Sequence, residues 1–236
     1  MTADARPRRL VLLGATGMVG GYALRYALAH PHVESVTAIG RRKLGISNPK
    51  LRDVVHSDFS DCSSLSNVLM DQDAVVFCLG AYTGTVSDAE LRAVTAEYTI
   101  EFARVLERSS PRAIFAFLSG AGADPTGKSR LAYARYKGEA ERALLAASFP
   151  RVDIFRPAYI YPVEPRAEPN LGYRILRLAY PLFRVLFPGQ VIRADDLAHV
   201  MVEAVLHGGA EPSRSILENR EIQVRAQALA GFSRDQ

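Results

Sequence analysis

A chain of 236 residues that is 48% hydrophobic and 23% charged can bury one sizeable core, so disordered and fibrous classes are excluded and a single domain over 1–236 is expected. The net charge of +4 comes without a long block of one sign, which argues against a nucleic-acid partner and in favour of a few anion-binding pockets. Two cysteines and the polar start MTADARPRRL point to a reduced, cytoplasmic setting; without a CxxC pair, and with five histidines that lack ligand spacing, no metal is expected.

Taken in chain order, the first strand is expected at 9–13 and the first helix at 18–29. The junction reads LVLLGATGMVG, with Gly14, Gly17 and Gly20 spaced three apart. Glycines between a strand and a helix can be purely structural. They also suit a dinucleotide: the first permits a tight turn, the second a close approach to the diphosphate and the third close helix packing, while the helix N-terminus offers N–H groups to the anion. A second strand at 35–39 runs into AIGRRKL. NAD-selective sites ordinarily place an acid there for the ribose 2′-hydroxyl. Arg41 and Arg42 stand there instead; their planar donor forks suit a 2′-phosphate and favour NADP(H) over NAD, the alternative being a solvated basic turn.

The third strand, 52–56, leads to Asp58, which either accepts from an adenine amino group or serves as a turn residue or cap of the helix that begins near 61, expected over about 62–70. A fourth strand at 74–79 ends at Leu79, with Gly80 and Ala81 following on the edge where the adenine ribose would rest. After a helix at 87–109, the fifth strand, 113–118, delivers Ser119. Tyr133 and Lys137 then share one face of a helix at 130–148. A lysine ammonium beside a tyrosine favours the phenolate. Tyr133 could then deliver a proton, Lys137 bind the nicotinamide ribose and Ser119 donate to a substrate carbonyl, although such a pair also arises by chance on many helices.

A sixth strand at 151–156 completes an alternation that reads as an α/β, doubly wound parallel sheet, its apolar strands covered by helices on both faces. Past residue 157 the proline-rich RPAYIYPVEPRAEP opens an excursion over 158–192 on the substrate side, before a helix at 195–207. Its apolar part, 171–188, is interrupted by Arg174, Arg177, Arg184 and Pro181, so it is not a membrane span. It could cover an apolar substrate, form a dimer interface or touch a membrane surface.

The segments GATGMVGG, AIGRRKL, VVFCLGAYTG, FLSGAGAD, YARYKGEAE, FRPAYIY and ILENREI together resemble the short-chain dehydrogenase/reductase superfamily in its atypical group, close to Tat-interacting-protein-like oxidoreductases and the epimerase/dehydratase-like subgroup. The resemblance runs from about residue 8 to about residue 222. It implies an NAD(P)-binding Rossmann fold that holds NADPH. By position, Gly14, Thr16, Gly17, Met18 and Val19 would hold the diphosphate, Arg41 and Arg42 the 2′-phosphate, Asp58 and Phe59 the adenine, and Leu79, Gly80 and Ala81 the ribose. Tyr133 and Lys137 match the YxxxK pair, Ser119 the serine after the fifth strand, and Pro157, Ala158, Tyr159 and Ile160 would lie along the nicotinamide. One departure is a single serine before Gly120, where relatives often have two. The implied activity is NADP(H)-dependent hydride transfer with a small, apolar carbonyl or alcohol; the alternative is an NADPH-binding regulatory or scaffold protein with little turnover. A homodimer is compatible with both.

Overall fold

The computed structural model describes residues 6–80, 86–164, 187–207 and 213–232. Strand β1 (Arg8–Leu13) is followed by α1 (Met18–Ala29), β2 (Val33–Gly40), β3 (Leu51–Val55) and β4 (Ala74–Phe77). Then come α2 (Asp88–Arg92), a π-helical stretch (Ala93–Glu97), α3 (Tyr98–Ser109), β5 (Ile114–Leu118), α4 (Ala132–Ala146) and β6 (Arg151–Arg156). The remainder is β7 (Tyr159–Tyr161), β8 (Val191–Arg193), α5 (Ala194–His207), β9 (Ser213–Glu218) and α6 (Asn219–Phe232).

The main sheet has seven parallel strands in the order β3-β2-β1-β4-β5-β6-β9, the Rossmann arrangement that the alternation predicts. Because side chains alternate across a strand, continuously apolar strands feed two cores. Leu10, Leu12, Ala74 and Val76 pack under α1 and α5 on one face. Val11, Leu13, Val75 and Phe77 face α3 and α4, through Phe102, Leu106, Ala140 and Leu144, on the other. All the carboxyl ends of the parallel strands point to one edge, and the strand order reverses there between β1 and β4, the position at which such sheets leave a crevice.

Three elements differ from expectation. The helix expected at 62–70 shrinks to a 3-10 turn, Ser63–Leu65. Its polar side chains bond locally instead: the Ser63 N–H donates to Asp61 and the Ser66 hydroxyl to the Ser63 carbonyl, competing with helical bonding. The helix at 87–109 is continuous but interrupted by the π stretch, after a start at which Ser87 accepts from the Glu90 N–H at 3.2 Å. The chain end returns to the sheet, with β9 pairing β6 in register from Arg151↔Ser213 to Arg156↔Glu218.

The excursion over 158–192 is clasped at its base by a two-stranded parallel ladder, Tyr159↔Val191 to Tyr161↔Arg193. Its central part, 165–186, lies outside the described residues, as does most of the apolar 171–188 segment. No helix among the described residues is long and apolar enough to cross a membrane.

Candidate functional site

The glycine turn is fixed by what surrounds it. Gly14 has φ +81°, a conformation that penalises any Cβ, and a Cβ there would lie 2.6 Å from the Cys78 carbonyl at the end of β4. A Cβ on Gly20 would overlap the Gly14 carbonyl, so helix α1 seats directly on the turn. Gly17 caps α1 without any side-chain acceptor, and its N–H bonds the Gly14 carbonyl at 2.8 Å. The first-turn N–H groups are therefore left for an anion. Val19 is buried in the core, so only its backbone faces this region, whereas Thr16 and Met18 stay at the surface. Gly14 to Gly17 form one wall of a cleft of about 170 Å³.

The opposite wall is built by the ends of β2 and β3. Arg41 and Arg42 line the cleft with exposed side chains. Asp53, which sequence reasoning did not single out, also lines it; its carboxylate accepts the Leu44 N–H at 2.8 Å and thereby anchors the basic turn. Asp58 makes local bonds at a turn: it accepts from the Ser60 N–H at 2.9 Å and from the Ser60 hydroxyl at 2.5 Å. These bonds hold its carboxyl below the usual range, and it does not line the cleft. Phe59 does line it, buried and edge-on to His56. Leu79 and Gly80 lie on the floor, while Ala81 falls outside the described residues. Val94 and Tyr98, from the π stretch and the start of α3, close the far side and carried no sequence signal.

Beyond β5 the structure brings Tyr133 and Lys137 to the same sheet edge as the glycine turn. Lys137 is 2% exposed; its ammonium donates to the Leu118 carbonyl at 2.8 Å and lies 4.6 Å from the Phe117 ring centroid. Burial draws its pKa down to about 8, against the opposing pull of Glu141. Tyr133 is partly exposed, and a Cβ on Gly120 would come within 2.8 Å of its hydroxyl. Ser119 is buried with its hydroxyl donating to Glu141. Glu141 is fully buried and also accepts from Arg156 Nε at 2.9 Å and Nη2 at 2.5 Å; Arg156 reaches on to Glu218 at 3.0 Å. Tyr133, Lys137 and Glu141 thus form one ridge at intervals of four, and this spacing was the only signal that could have exposed Glu141 in the sequence.

At the segment that the resemblance assigns to the nicotinamide, the Pro157 carbonyl accepts from the Ala121 N–H at 2.8 Å. The Ala158 N–H donates to Asn219, whose amide donates in turn to the Gly189 carbonyl at 2.8 Å. Tyr159 and Ile160 belong to β7. Asn219 was not anticipated; it ties the two ends of the excursion to α6.

Residues 14–208 match a family described as NAD(P)H-binding. The chain belongs to that family. Among curated proteins it is similar to the mitochondrial protein fmp52-1 of Aspergillus oryzae, 31% identical over 83% of this chain and 85% of that protein. It is also similar to the mitochondrial protein FMP52 of Saccharomyces cerevisiae, 26% identical over 90% and 94%. The expectation of a cytoplasmic protein does not stand, since these relatives are named as mitochondrial. Among solved structures, the Bordetella bronchiseptica enzyme WbmG in complex with NAD superimposes with a TM-score of 0.65 at 16% identity, covering 99% of this chain and 80% of that one. The reductase domain of PhqB from Penicillium fellutanum gives 0.66 at 18%, covering 92% and 67%. These likenesses establish the NAD(P)-binding Rossmann fold.

Proposed function

We propose that this protein is an NADP(H)-dependent oxidoreductase of short-chain dehydrogenase type that acts on a small, apolar carbonyl or alcohol. The observation that carries this reading is that a partly exposed Tyr133 and a buried Lys137 ammonium stand at the same sheet edge as the Gly14–Gly17 anion turn. The residues fit the dinucleotide: the N–H groups of the first turn of α1, after Gly17, for its diphosphate, and Arg41 and Arg42 at the rim for a 2′-phosphate. The bound nicotinamide would supply hydride to the substrate carbon. Tyr133 donates the proton to the carbonyl oxygen, and the Lys137 charge stabilises the phenolate left behind. With Arg41 and Arg42 as neighbours and the Asp53 carboxylate engaged by Leu44, the rim offers cations where an NAD-selective site offers an acid. The excursion over 158–192 supplies the substrate side of what we read as a single domain, and a homodimer is compatible with it.

Titration of the protein with NADPH and NADH, followed by nicotinamide fluorescence, tests this. Wild type is expected to prefer NADPH, and Arg41→Ala/Arg42→Ala to lose about 10- to 100-fold in NADPH affinity while NADH is unchanged, as for the loss of two charge-assisted contacts. Equal affinity for the two nucleotides would remove the NADP preference; absence of binding to either would remove the oxidoreductase reading.

A second reading, an NADPH-binding regulator with little turnover, is favoured by one observation: the Ser119 hydroxyl is committed to Glu141, and position 120 next to Tyr133 carries no side chain. In the enzyme reading, Tyr133→Phe abolishes NADPH oxidation with carbonyl substrates, whereas Ser119→Ala acts mainly on stability. In the regulator reading neither substitution changes cofactor binding and no carbonyl in a broad screen is reduced.

A further inference from the structure

Three of the five histidines, which their spacing marks as unsuited to a metal, converge in the fold on a single carboxylate. Glu203 and His207 lie at i, i+4 near the end of α5, and His30 caps the C-terminal end of α1. The His30 Nε2 lies 3.3 Å from Glu203 Oε1, and the His207 Nε2 lies 2.8 Å from Oε2. One ligand atom from each of the three residues falls within 4.8 Å of the other two. His199 stands 3.7 Å from the same Oε1, and the His32 ring is 5.7 Å from that of His207.

We propose that His30, Glu203 and His207 form a binding site for a divalent transition-metal ion of the zinc class, which fastens the end of α1 to the end of α5. Two imidazoles and one carboxylate are a donor set of intermediate softness, suited to Zn²⁺ and its first-row neighbours rather than to Ca²⁺ or Mg²⁺. Bonds of about 2.0–2.1 Å in a tetrahedron place neighbouring donors roughly 3.4 Å apart. The His30 Nε2–Oε1 edge already has this length; His207 faces the other oxygen, Oε2, at 2.8 Å, so the ion takes either both carboxylate oxygens or one of them after a swing of the His207 ring, which an exposed histidine on a terminal helical turn can accommodate. The carboxylate has an outer-sphere partner as well, since the Tyr26 hydroxyl donates to it.

Metal entry has a cost that can be observed. His30 Nδ1 accepts the His32 N–H at 3.1 Å, so in neutral His30 the proton sits on Nε2 and faces Glu203. Coordination through Nε2 moves that proton to Nδ1 and breaks the bond to His32. The site is also remote from the cleft: α1 carries its end on the order of 20 Å from the glycine turn, so the ion acts as a clasp and not as part of the proposed reaction.

The experiment is a Zn²⁺ titration of chelator-treated full-length protein by calorimetry, with thermal unfolding at each concentration and amide spectra of the end points. One Zn²⁺ is expected to bind per chain, with a rise in Tm of about 5–10 °C at a hundredfold excess over Kd. His207→Ala, at an exposed position that leaves the fold intact, should weaken binding at least about 10-fold, and His30→Ala likewise, while His32→Ala retains it. The His32 amide resonance should shift on binding. No heat and no rise in Tm with wild type at 100-fold molar excess would overturn the proposal, as would a His207→Ala protein that binds like wild type; in either case Glu203 is simply a carboxylate satisfied by histidine and tyrosine donors.

Discussion

The two halves of the candidate site are built on different principles. Around Gly14, Gly17 and Gly20 the working parts are backbone N–H groups, and side chains matter by being absent: any Cβ at Gly14 or Gly20 collides with a neighbouring carbonyl. Around Ser119, Tyr133 and Lys137 the working parts are side chains, and partners far away in sequence set two of them: Glu141, itself held by Arg156, for Ser119, and the Leu118 carbonyl for Lys137. The first half has little freedom to drift; the second can retain its motif while its hydroxyls are directed elsewhere, as Ser119 shows.

Substitution of Gly20 by Ala should give the largest effect because no rotamer change can relieve a Cβ clash with main chain. NADPH affinity is expected to fall by at least about 100-fold, and overpacking should cost about 1–3 kcal/mol or more of stability. Gly17→Ala, whose Cβ would sit 3.1 Å from the Gly14 carbonyl, should be distinctly milder. Fluorescence titration and urea unfolding of both variants check the order. Equal effects would mean that the tight seat of α1 on the turn is not what shapes the anion site.

In the other half, Glu141→Gln tests whether side-chain partners govern the site. It leaves the Arg156 guanidinium, 14% exposed, facing a neutral amide, and breaking a buried pair from one side costs about 3 kcal/mol. For a chain of this length that is roughly 6–12 °C in Tm. Arg156 keeps Glu218, but that carboxylate is more than half exposed and compensates little. A Tm within a degree of wild type would show that the Ser119–Glu141–Arg156 chain carries no load.

This division explains how much the sequence disclosed. The parallel alternation of strands and helices, the glycine turn, the basic turn at Arg41 and Arg42 and the Tyr133–Lys137 pair on one helix were legible because each rests on a local pattern of period, spacing or turn chemistry. Strand β9 and helix α6 were missed because SRSILE is exposed at most positions as an edge strand and lacks the continuous apolar run of its neighbours. The helix expected at 62–70 failed on serines and aspartates that bond their own backbone. Glu141, Asn219 and the histidine cluster around Glu203 were invisible for one reason: each acquires its role only when α1, α4, α5 or α6 packs against something distant, whereas Asp53 depends on how the loop before β3 folds back to Leu44.

The smallest effect expected separates the two halves by pH. Burial holds Lys137 at about 8 in the folded protein against 10.5 when exposed, so between these values the unfolded chain binds more protons and folding stability contributed by this group rises with pH. Cys78, pushed up to about 12 by the same burial, works in the opposite direction above pH 9, where the unfolded thiol ionises and the folded one does not. The two contributions overlap in wild type, so the difference between wild type and Lys137→Met isolates the lysine. That difference should shrink in favour of wild type as pH climbs from about 8 towards 10.5. Over the same interval Tyr133 loses the neighbouring charge that stabilises its phenolate, so carbonyl reduction should decline above about pH 8 while NADPH binding through the glycine turn stays level. A parallel decline of binding and turnover would instead place the titrating group in the nucleotide half, and the contrast between backbone-built and side-chain-built halves would no longer hold for this site.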